Sequence, residues 1–597
     1  MTNIILTGIK YLIIIFFAYF TYLSFRAQRD VPDERKKTTY LLQRVTMLVI
    51  HALAFLSICI NISLDSKIEL KMGQAIGLYA GQLVYLIAMS IVIPKFVSLS
   101  RGLHNTMCMF LTIGFIIQTR LNFGTSLRQL LIIVVGTIVF LVFVFLCKRA
   151  KFMRNLTWIY AIAGMAMLLL MLVLSRVVYG AKLAIDLGFF SFQPSEFVKI
   201  LFVLFVASAF NKANNFRTVA VTAVCAGIHV LILVFCRDLG SALILFVIYM
   251  LMLYAATRKL LYIGVGVAAL AVASVAAYHL FSHVRVRVST WLDPWADIDN
   301  KGYQITQSLF AIGTGGWFGS GLFGGQPKNV PVVSNDMIFS AISEELGGIF
   351  SILLILLCLC FILMMFRVAL RVNNPFYKLL AFGLGTSYGF QVFLTIGGTI
   401  KFIPLTGVNL PFISSGGSSL LASMFMIGMV QALYVISEAD VEREREMVAA
   451  GIPISEFDNY QDLYEEDEEP EVRIEDDVDL QVLEEDFEDP YEDKYLRPER
   501  VEQMIRDDVT QRARIRQILQ YEPEPVGQRE RIRQVNPDEE PGFSGQRDRI
   551  RQVTPEVGTP QRERIRQILP DVEEIPTRQP NRKKIRKSIL MIFSIDR

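Results

Sequence analysis

Four short stretches place ionisable or hydroxyl-bearing residues inside apolar surroundings. In SNDMIFSAISEELGG (334–348), Asp336 precedes an apolar helical run that contains Glu344 and Glu345. In QPSEFVKI (193–200), Glu196 and Lys199 stand three residues apart on one helix face, behind Pro194, a residue suited to a first helical position. CRDLGSA (236–242) carries Arg237 and Asp238. In PLTGVNLPFISSGGSSLL (404–421), Pro, Gly and Ser break a helix start around Ser414, Gly416, Gly417, Ser418 and Ser419. Free backbone N–H groups at such a start can hold an anion or a sugar hydroxyl. Charges in apolar surroundings are costly, so each of these residues is a candidate for function.

Plainer readings stand beside these. Glu196 and Lys199 read equally as a structural ion pair, because buried charges are usually paired. Arg237 and Asp238 read as a solvated anchor at a membrane edge. Glu344 and Glu345 are adjacent and point about 100° apart on a helix. At most one of them then faces the same cavity as Asp336, and the other pairs with Lys199, Arg237 or a similar cation. The Ser/Gly run also reads as close helix packing, and His229 as a helix–helix contact. Together the stretches describe a polar cavity opening to one face of a membrane.

The elements that must position them are membrane helices. The chain has 597 residues, is 53% hydrophobic and has a mean hydropathy of +0.43. Residues 1 to about 436 form apolar blocks of bilayer-spanning length. Thirteen spans are expected, near 4–25, 40–63, 73–94, 106–119, 127–147, 155–176, 195–211, 218–236, 239–256, 259–281, 336–366, 378–398 and 408–436. The fold class is therefore an all-α polytopic membrane protein. The N-terminus turns apolar at once, without a basic flank or a small-residue cleavage site, and reads as a retained span. Basic clusters at 26–37, 148–154, 257–259 and 367–378 all fall on one side, taken as the cytoplasm. The N-terminus is then outside, the tail inside, and the segment 282–335 outside. That segment is long enough to expect function of it, and its piece ITQSLFAIG reads as an interfacial or re-entrant helix.

From 438 on, the chain is charged and poor in aromatics, which reads as disordered: acidic over 438–495, then basic. A QRxRIRQ-type repeat starts at 511, 528, 546 and 561, with a degenerate copy at 581. It reads either as a docking array for a cytoplasmic partner or anionic lipid, or as the basic half of a self-neutralising tail. The net charge of +3 sums these two halves and says little about partners; no nucleic acid is expected. The seven cysteines form no CxxC pair and suggest neither a disulfide framework nor a zinc site.

QPSEFVKI, DLGSALIL, WLDPWADIDNKGYQITQSLFAIGTGGWFGSGL, NDMIFSAISEELG and IPLTGVNLPFISSGGSSLL, in this order over roughly 155–436, resemble the SEDS family of cell-wall proteins, the group of FtsW, RodA and SpoVE. Such proteins have a core of ten spans. The resemblance implies that residues 1–150 are additional membrane helices leading into a catalytic core at 151–437. The family's Pro-Glu-x-His-Thr-Asp-Phe-Ile-Phe pattern matches PVVSNDMIF, with Asp336 on the catalytic aspartate, and its Ser-Tyr-Gly-Gly-Ser-Ser matches SSGGSS. Val332, Ser334, Asn335 and Ser415 depart from those patterns.

The resemblance implies a peptidoglycan glycosyltransferase that polymerises lipid II, a disaccharide-peptide on undecaprenyl pyrophosphate, at the outer face of the cytoplasmic membrane. Its partner would be a class B penicillin-binding protein. Asp336 would be the general base of an inverting transfer. Glu196, Lys199, Arg237, Asp238, Arg285, Arg287, Gln304 and the turn Ser414–Ser419 would bind substrate and its pyrophosphate, with Glu344, Glu345 and Pro194 in support. No cofactor is evident; a divalent cation such as magnesium is compatible, though no ligand cluster marks a metal site. Two other classes stay open, a flippase for the lipid-linked precursor and a non-catalytic scaffold that activates a penicillin-binding protein.

Overall fold

The computed structural model describes residues 2–29, 33–65, 68–147, 151–175, 184–186, 191–213 and 215–449. The basic repeats of 511–590 and most of the acidic stretch lie outside these residues. So do the disorder and docking roles expected for them, and residues 148–150 of one basic loop. Residues 438–449, expected to be disordered, are instead helical, the last turns of the helix Gly417–Ala449. Helices α1 (Thr2–Arg26), α2 (Asp33–Leu64) and α3 (Met72–Ile87) come first, α3 running through a π turn (Ala88–Val92) into the short α4 (Ile93–Phe96). Then follow α5 (Arg101–Leu121), α6 (Phe123–Cys147), α7 (Thr157–Leu174) and α8 (Pro194–Lys212). They are succeeded by α9 (Phe216–Phe235), α10 (Leu239–Thr257) and α11 (Leu260–Leu280). Two shorter helices, α12 (Ser282–Leu292) and α13 (Tyr303–Gly315), precede the long α14 (Ile338–Arg371), α15 (Pro375–Thr399) and α16 (Gly417–Ala449). A two-residue antiparallel pair, β1 (Ile185–Asp186) with β2 (Ser191–Phe192), is the sheet among the described residues.

Twelve of the described helices are long and apolar enough to cross a membrane. The expected thirteenth, near 106–119, is α5. It has the length, 21 residues, but carries His104, Asn105, Thr106, Thr112, Gln118 and Thr119 along its course. All of its residues except Arg101 and Arg120 are buried, against α2, α3, α6 and α14. A helix enclosed by protein has polar partners at hand: Asn105 donates to Tyr40 O (3.2 Å) and Gln43 Oε1 (3.0 Å), and Thr119 shares a hydrogen bond with Ser126 (2.9 Å). The same burial keeps its hydropathy low without cost, because none of this helix has to face lipid.

The π turn before α4 has an identifiable cause. Pro94 cannot donate a backbone hydrogen bond, and its ring excludes the carbonyl of the preceding turn. The widened turn frees the Met89 carbonyl, which meets the buried His104 Nε2 of α5 at 2.7 Å.

In the segment 282–335 the piece ITQSLFAIG is helical, within α13. The segment holds α12 and α13 and two 3₁₀ turns, and α13 packs along α14. The expected single span 336–366 is a broken helix instead. Gly347 takes φ 91°, ψ 170° within α14, a conformation open to glycine and costly for other residues. The main-chain groups freed at the break are paired by the glycine-rich turn after α13. Ser320 N donates to Glu344 O and Gly321 N to Glu345 O, both at 2.9 Å, while Gly348 N and Ile349 N donate to Gly316 O (2.8 Å) and Trp317 O (3.1 Å). The close approach leaves no room for a side chain at Gly319, where a Cβ would lie 2.3 Å from Glu345 O. Non-helical backbone at membrane depth survives only where protein satisfies it in this way.

Candidate functional site

A cavity of ≈ 50 Å³ lies between the N-terminal ends of α8 and α10, the helix α12 and the turn before α16. Glu196, Arg237, Asp238, Arg287, Gly407 and Asn409 are among its lining residues. Pro194 occupies the first turn of α8, as its sequence position indicates. Glu196 and Lys199 form a buried pair at 2.7 Å, and Lys199 Nζ also donates to Gln391 Oε1 at 2.7 Å. The lysine therefore has two partners within the protein, and the pair braces α8 against α15. Glu196 still lines the cavity.

Arg237 is exposed, as a solvated anchor would be, but Asp238 is not. Asp238 is buried and caps α10: its Oδ1 accepts from Ser241 N and its Oδ2 from Ser195 Oγ, both at 3.0 Å. Such a cap satisfies an otherwise orphaned helix N–H, and here it also joins the starts of α8 and α10. Arg237 sits in the left-handed region (φ 62°) and turns the chain into the cavity wall.

The two arginines of α12 separate. Arg287 lines the cavity and donates to Thr406 O (3.2 Å), close enough to Asp238 and Asp336 for both carboxylates to act on it. Burial lowers its pKa from the usual guanidinium value, and the two carboxylates pull it back up. Arg285 is exposed and outside the lining. Two residues apart on a helix means about 200° around the axis, so both cannot face one cavity.

Asp336 stands in the turn just before α14, partly exposed. Its Oδ1 is shielded and has no hydrogen-bond partner among the described residues. Its Oδ2 borders Gly407 of the cavity lining. Burial pushes its carboxyl pKa up to about 6, against the pull of main-chain N–H groups, Arg287 and Gln304 of α13. Desolvation favours the neutral acid, while the cation and the hydrogen bonds favour the carboxylate. The outcome is a carboxylate that is ionised near neutral pH and still basic enough to accept a proton.

The turn carrying Asp336 is clamped by the turn before α16. Ser415 N donates to Ser334 O (2.7 Å), Ser414 Oγ to Asn335 O (2.5 Å) and Ser415 Oγ to Asn335 Oδ1 (2.5 Å). Thr399 Oγ1 of α15 reaches Asp336 O at 3.3 Å, and Gln118 of α5 reaches Ser334 O at 2.9 Å. The amides of Ser414 and Ser415 are thus used within the protein. Gly417 opens α16, with Gly416 tight against the Asn409 side chain. Ser418 Oγ accepts from Gln193 N (2.9 Å) and donates to Ser191 O (3.1 Å), and Ser419 is buried in the first turn. The amides at the start of this helix remain the anion-attracting part of the turn.

Glu344 and Glu345 belong to the support. Glu345 pairs with Arg120 of α5 (2.7 Å) and accepts from Phe323 N (3.2 Å); Glu344 Oε1 accepts from Gln326 N (2.8 Å). Both carboxylates hold the turn 320–326 over the broken helix. The partner cation is Arg120, and neither Lys199 nor Arg237 is involved.

The sequence analysis names Ser334 and Asn335 only as departures from the family pattern and leaves out Gln118, Arg120, Thr399 and His283. His283 of α12 lies near Arg287 and Arg237, and burial, followed by those two cations, lowers its pKa. Two signals were available: Gln118 and Arg120 are polar residues at the end of an apolar block, and His283 is two and four residues from the arginines.

Comparison with known proteins agrees with this arrangement. The family model described as "Cell cycle protein", covering FtsW, RodA and SpoVE, matches residues 106–438. The chain belongs to this family. Ten helices of membrane-spanning length are covered wholly or in large part, α5 to α11 and α14 to α16. The match starts ahead of the quoted motifs, so α6 and most of α5 lie in the family portion and not in an addition reaching to residue 150. They carry none of the quoted motifs, yet α5 supplies Gln118 and Arg120 to the site. Among curated relatives, the chain is 37% identical over 322 residues to the peptidoglycan glycosyltransferase RodA of Mycobacterium tuberculosis, covering 51% of this chain and 69% of that one. It is 38% identical over 261 residues to the probable peptidoglycan glycosyltransferase FtsW of Geobacter metallireducens, covering 42% and 69%. A solved chain from a study of how a peptidoglycan synthase complex coordinates polymerization and crosslinking superposes with a TM-score of 0.50 at 25% identity, covering 57% of this chain and 99% of that one. Family membership and the helices make this a multi-pass membrane protein.

Proposed function

We propose that this protein is a peptidoglycan glycosyltransferase that joins lipid II units into glycan strands at the outer face of the cytoplasmic membrane. One observation carries the reading: Asp336, on the family's aspartate position, borders a cation-lined cavity with one carboxylate oxygen unpartnered among the described residues. Two relatives bear the name of that activity.

In the reaction, Asp336 takes the proton of the acceptor sugar hydroxyl through Oδ2, the oxygen that borders the cavity, as the hydroxyl oxygen attacks the donor's anomeric carbon. The carbon–oxygen bond to the lipid pyrophosphate breaks, and undecaprenyl pyrophosphate leaves with the electron pair. One displacement inverts the configuration. Arg287 and Arg237 offer positive charge to the departing group, joined by the amides at the start of α16. Gln304 holds the carboxylate in position. Arg285, exposed on the far side of α12, is left out of this set, and Lys199 acts through Glu196 and Gln391. No group of three His, Cys, Asp or Glu side chains converges to hold a metal among the described residues. Asp238 and Glu196 are engaged as a helix cap and an ion pair.

The four basic loops support a topology with α13 and the cavity outside and α16 ending in the cytoplasm. A class B penicillin-binding protein as partner is supported by the similar chain's source, a complex that couples polymerization to crosslinking. Purified protein incubated with lipid II tests the activity: wild type should build glycan strands and Asp336→Asn should not. A flippase would instead translocate lipid II in proteoliposomes without polymerising it. A scaffold would support growth as Asp336→Asn while deletion of the chain does not.

A further inference from the structure

A second cavity, ≈ 530 Å³, is at the other end of α14, away from Asp336. It is walled by the end of α1 and start of α2, the N-terminus of α5, the last turns of α14 and the later part of α16. Arg29, Lys36 and Lys37 enter from the first two helices, and Arg101 stands on the first residue of α5. Arg367 and Arg371 come from α14 and Arg445 from α16. Seven cationic side chains thus share the wall with one carboxylate, Glu438, which Arg371 approaches at 3.5 Å, while Arg445 also pairs with Glu442 at 3.5 Å. The positive end of the α5 dipole adds to the same field, with Ser100, Arg101 and Gly102 all in the wall.

Cations gathered around one hollow favour an anion within it. Like charges around one hollow repel, and the hollow is of a size that holds a small molecule or a headgroup. The wall is also well fixed. Ser100 N donates to Gln431 Oε1 (2.9 Å), Gln431 returns a bond to Ser100 O (3.3 Å), and Arg367 is hydrogen-bonded to Gln28 O. Several guanidinium forks on a preformed wall, beside a helix N-terminus, match the oxygens of a phosphate group better than a single carboxylate. Four of the seven cations precede residue 106, where the family match begins, so the pocket joins the added helices to the family portion.

We propose that this pocket is a binding site for a phosphate-bearing anion, distinct from the Asp336 cavity. Two sources share the chemistry: a soluble phosphate or pyrophosphate, and the headgroup of an anionic phospholipid at the membrane surface. Occupation ties α1 and α2 to α5, α14 and α16.

The full chain in an uncharged detergent is titrated with inorganic pyrophosphate, and in nanodiscs with phosphatidylglycerol against phosphatidylcholine, reading the thermal unfolding midpoint. Lys37→Gln with Arg101→Gln should weaken the response at least tenfold in ligand concentration. Arg101→Lys, which keeps the charge, should retain most of it, and Arg217→Gln, exposed on α9, should leave it unchanged. A response to pyrophosphate assigns a soluble ligand, and one confined to phosphatidylglycerol assigns the headgroup. No rise in the midpoint with either, or an equal rise in the double variant and wild type, overturns the proposal.

Discussion

Ser415 Oγ donates to Asn335 Oδ1 at 2.5 Å, beside the carbonyl of Asn335 that accepts from Ser414. Both Asn335 and Ser415 stand where the family pattern has other residues, Thr and Tyr. Two departures 80 positions apart in sequence therefore meet at the residue next to Asp336. A short hydroxyl suits a neighbouring amide here, and the contact holds the turn that aims the carboxylate.

The pair should act as a unit. Asn335→Ala and Ser415→Ala should each lower kcat by roughly tenfold with KM little changed, about 1.4 kcal/mol, the size of one hydrogen bond to a positioned group. The double variant should cost no more than the larger single, which a double-mutant cycle on lipid II polymerisation reads directly. Fully additive losses would show that the two residues do not act through each other.

Asp336 makes activity and stability depend on pH in opposite senses. As a base it works ionised, so kcat should fall as pH drops through about 6. Its folded pKa lies above the ordinary value of 3.8, so the folded state holds the proton more tightly than the unfolded state. That contribution is full below the ordinary value and is lost as pH rises through about 6. Asp336→Asn, neutral throughout, should therefore unfold later than wild type at pH 8, by roughly 1–3 kcal/mol given the partial exposure of the carboxylate. The difference should vanish near pH 3.5. Equal midpoints at pH 8 would contradict the burial argument.

Arg120 and Glu345 form a buried pair, with side chains 9% and 1% exposed. Removing one partner strands a charge, so Arg120→Ala should destabilise by about 3–5 kcal/mol. Replacing both, Arg120→Met with Glu345→Gln, should recover much of that loss. Thermal unfolding in detergent checks both variants.

Gly319 and Gly347 carry the clasp between the turn after α13 and the broken α14. Gly319→Ala places its Cβ 2.3 Å from Glu345 O, and Gly347→Ala forces a side chain onto φ 91°. Either change should reduce the yield of folded protein by several fold, measured as monodisperse protein after purification. A surface glycine with open space around it, such as Gly227, should tolerate alanine.

The apolar blocks made the helices legible, because a bilayer demands long hydrophobic runs and little else. The cation near the carboxylates was not legible. Glu345 needs a cation, but nothing local says that it is Arg120, more than 200 positions away in a helix that carries no quoted motif. The break at Gly347 was hidden as well, since EELGG reads as a helix end only when the turn that receives its freed carbonyls is known. Asp238 looked solvated because a buried N-cap and an exposed edge residue have the same sequence signature at a helix start. The separation of Arg285 from Arg287 followed from helix periodicity and could have been read once α12 was recognised as a helix.

The account turns on Asp336 as the proton acceptor. The most direct test is polymerisation of lipid II by purified protein, comparing wild type with Asp336→Asn at pH 7.5 and confirming equal folding by thermal unfolding. A folded Asp336→Asn protein that makes no glycan strands is the predicted result. Strand synthesis by that variant at the wild-type rate would contradict the account.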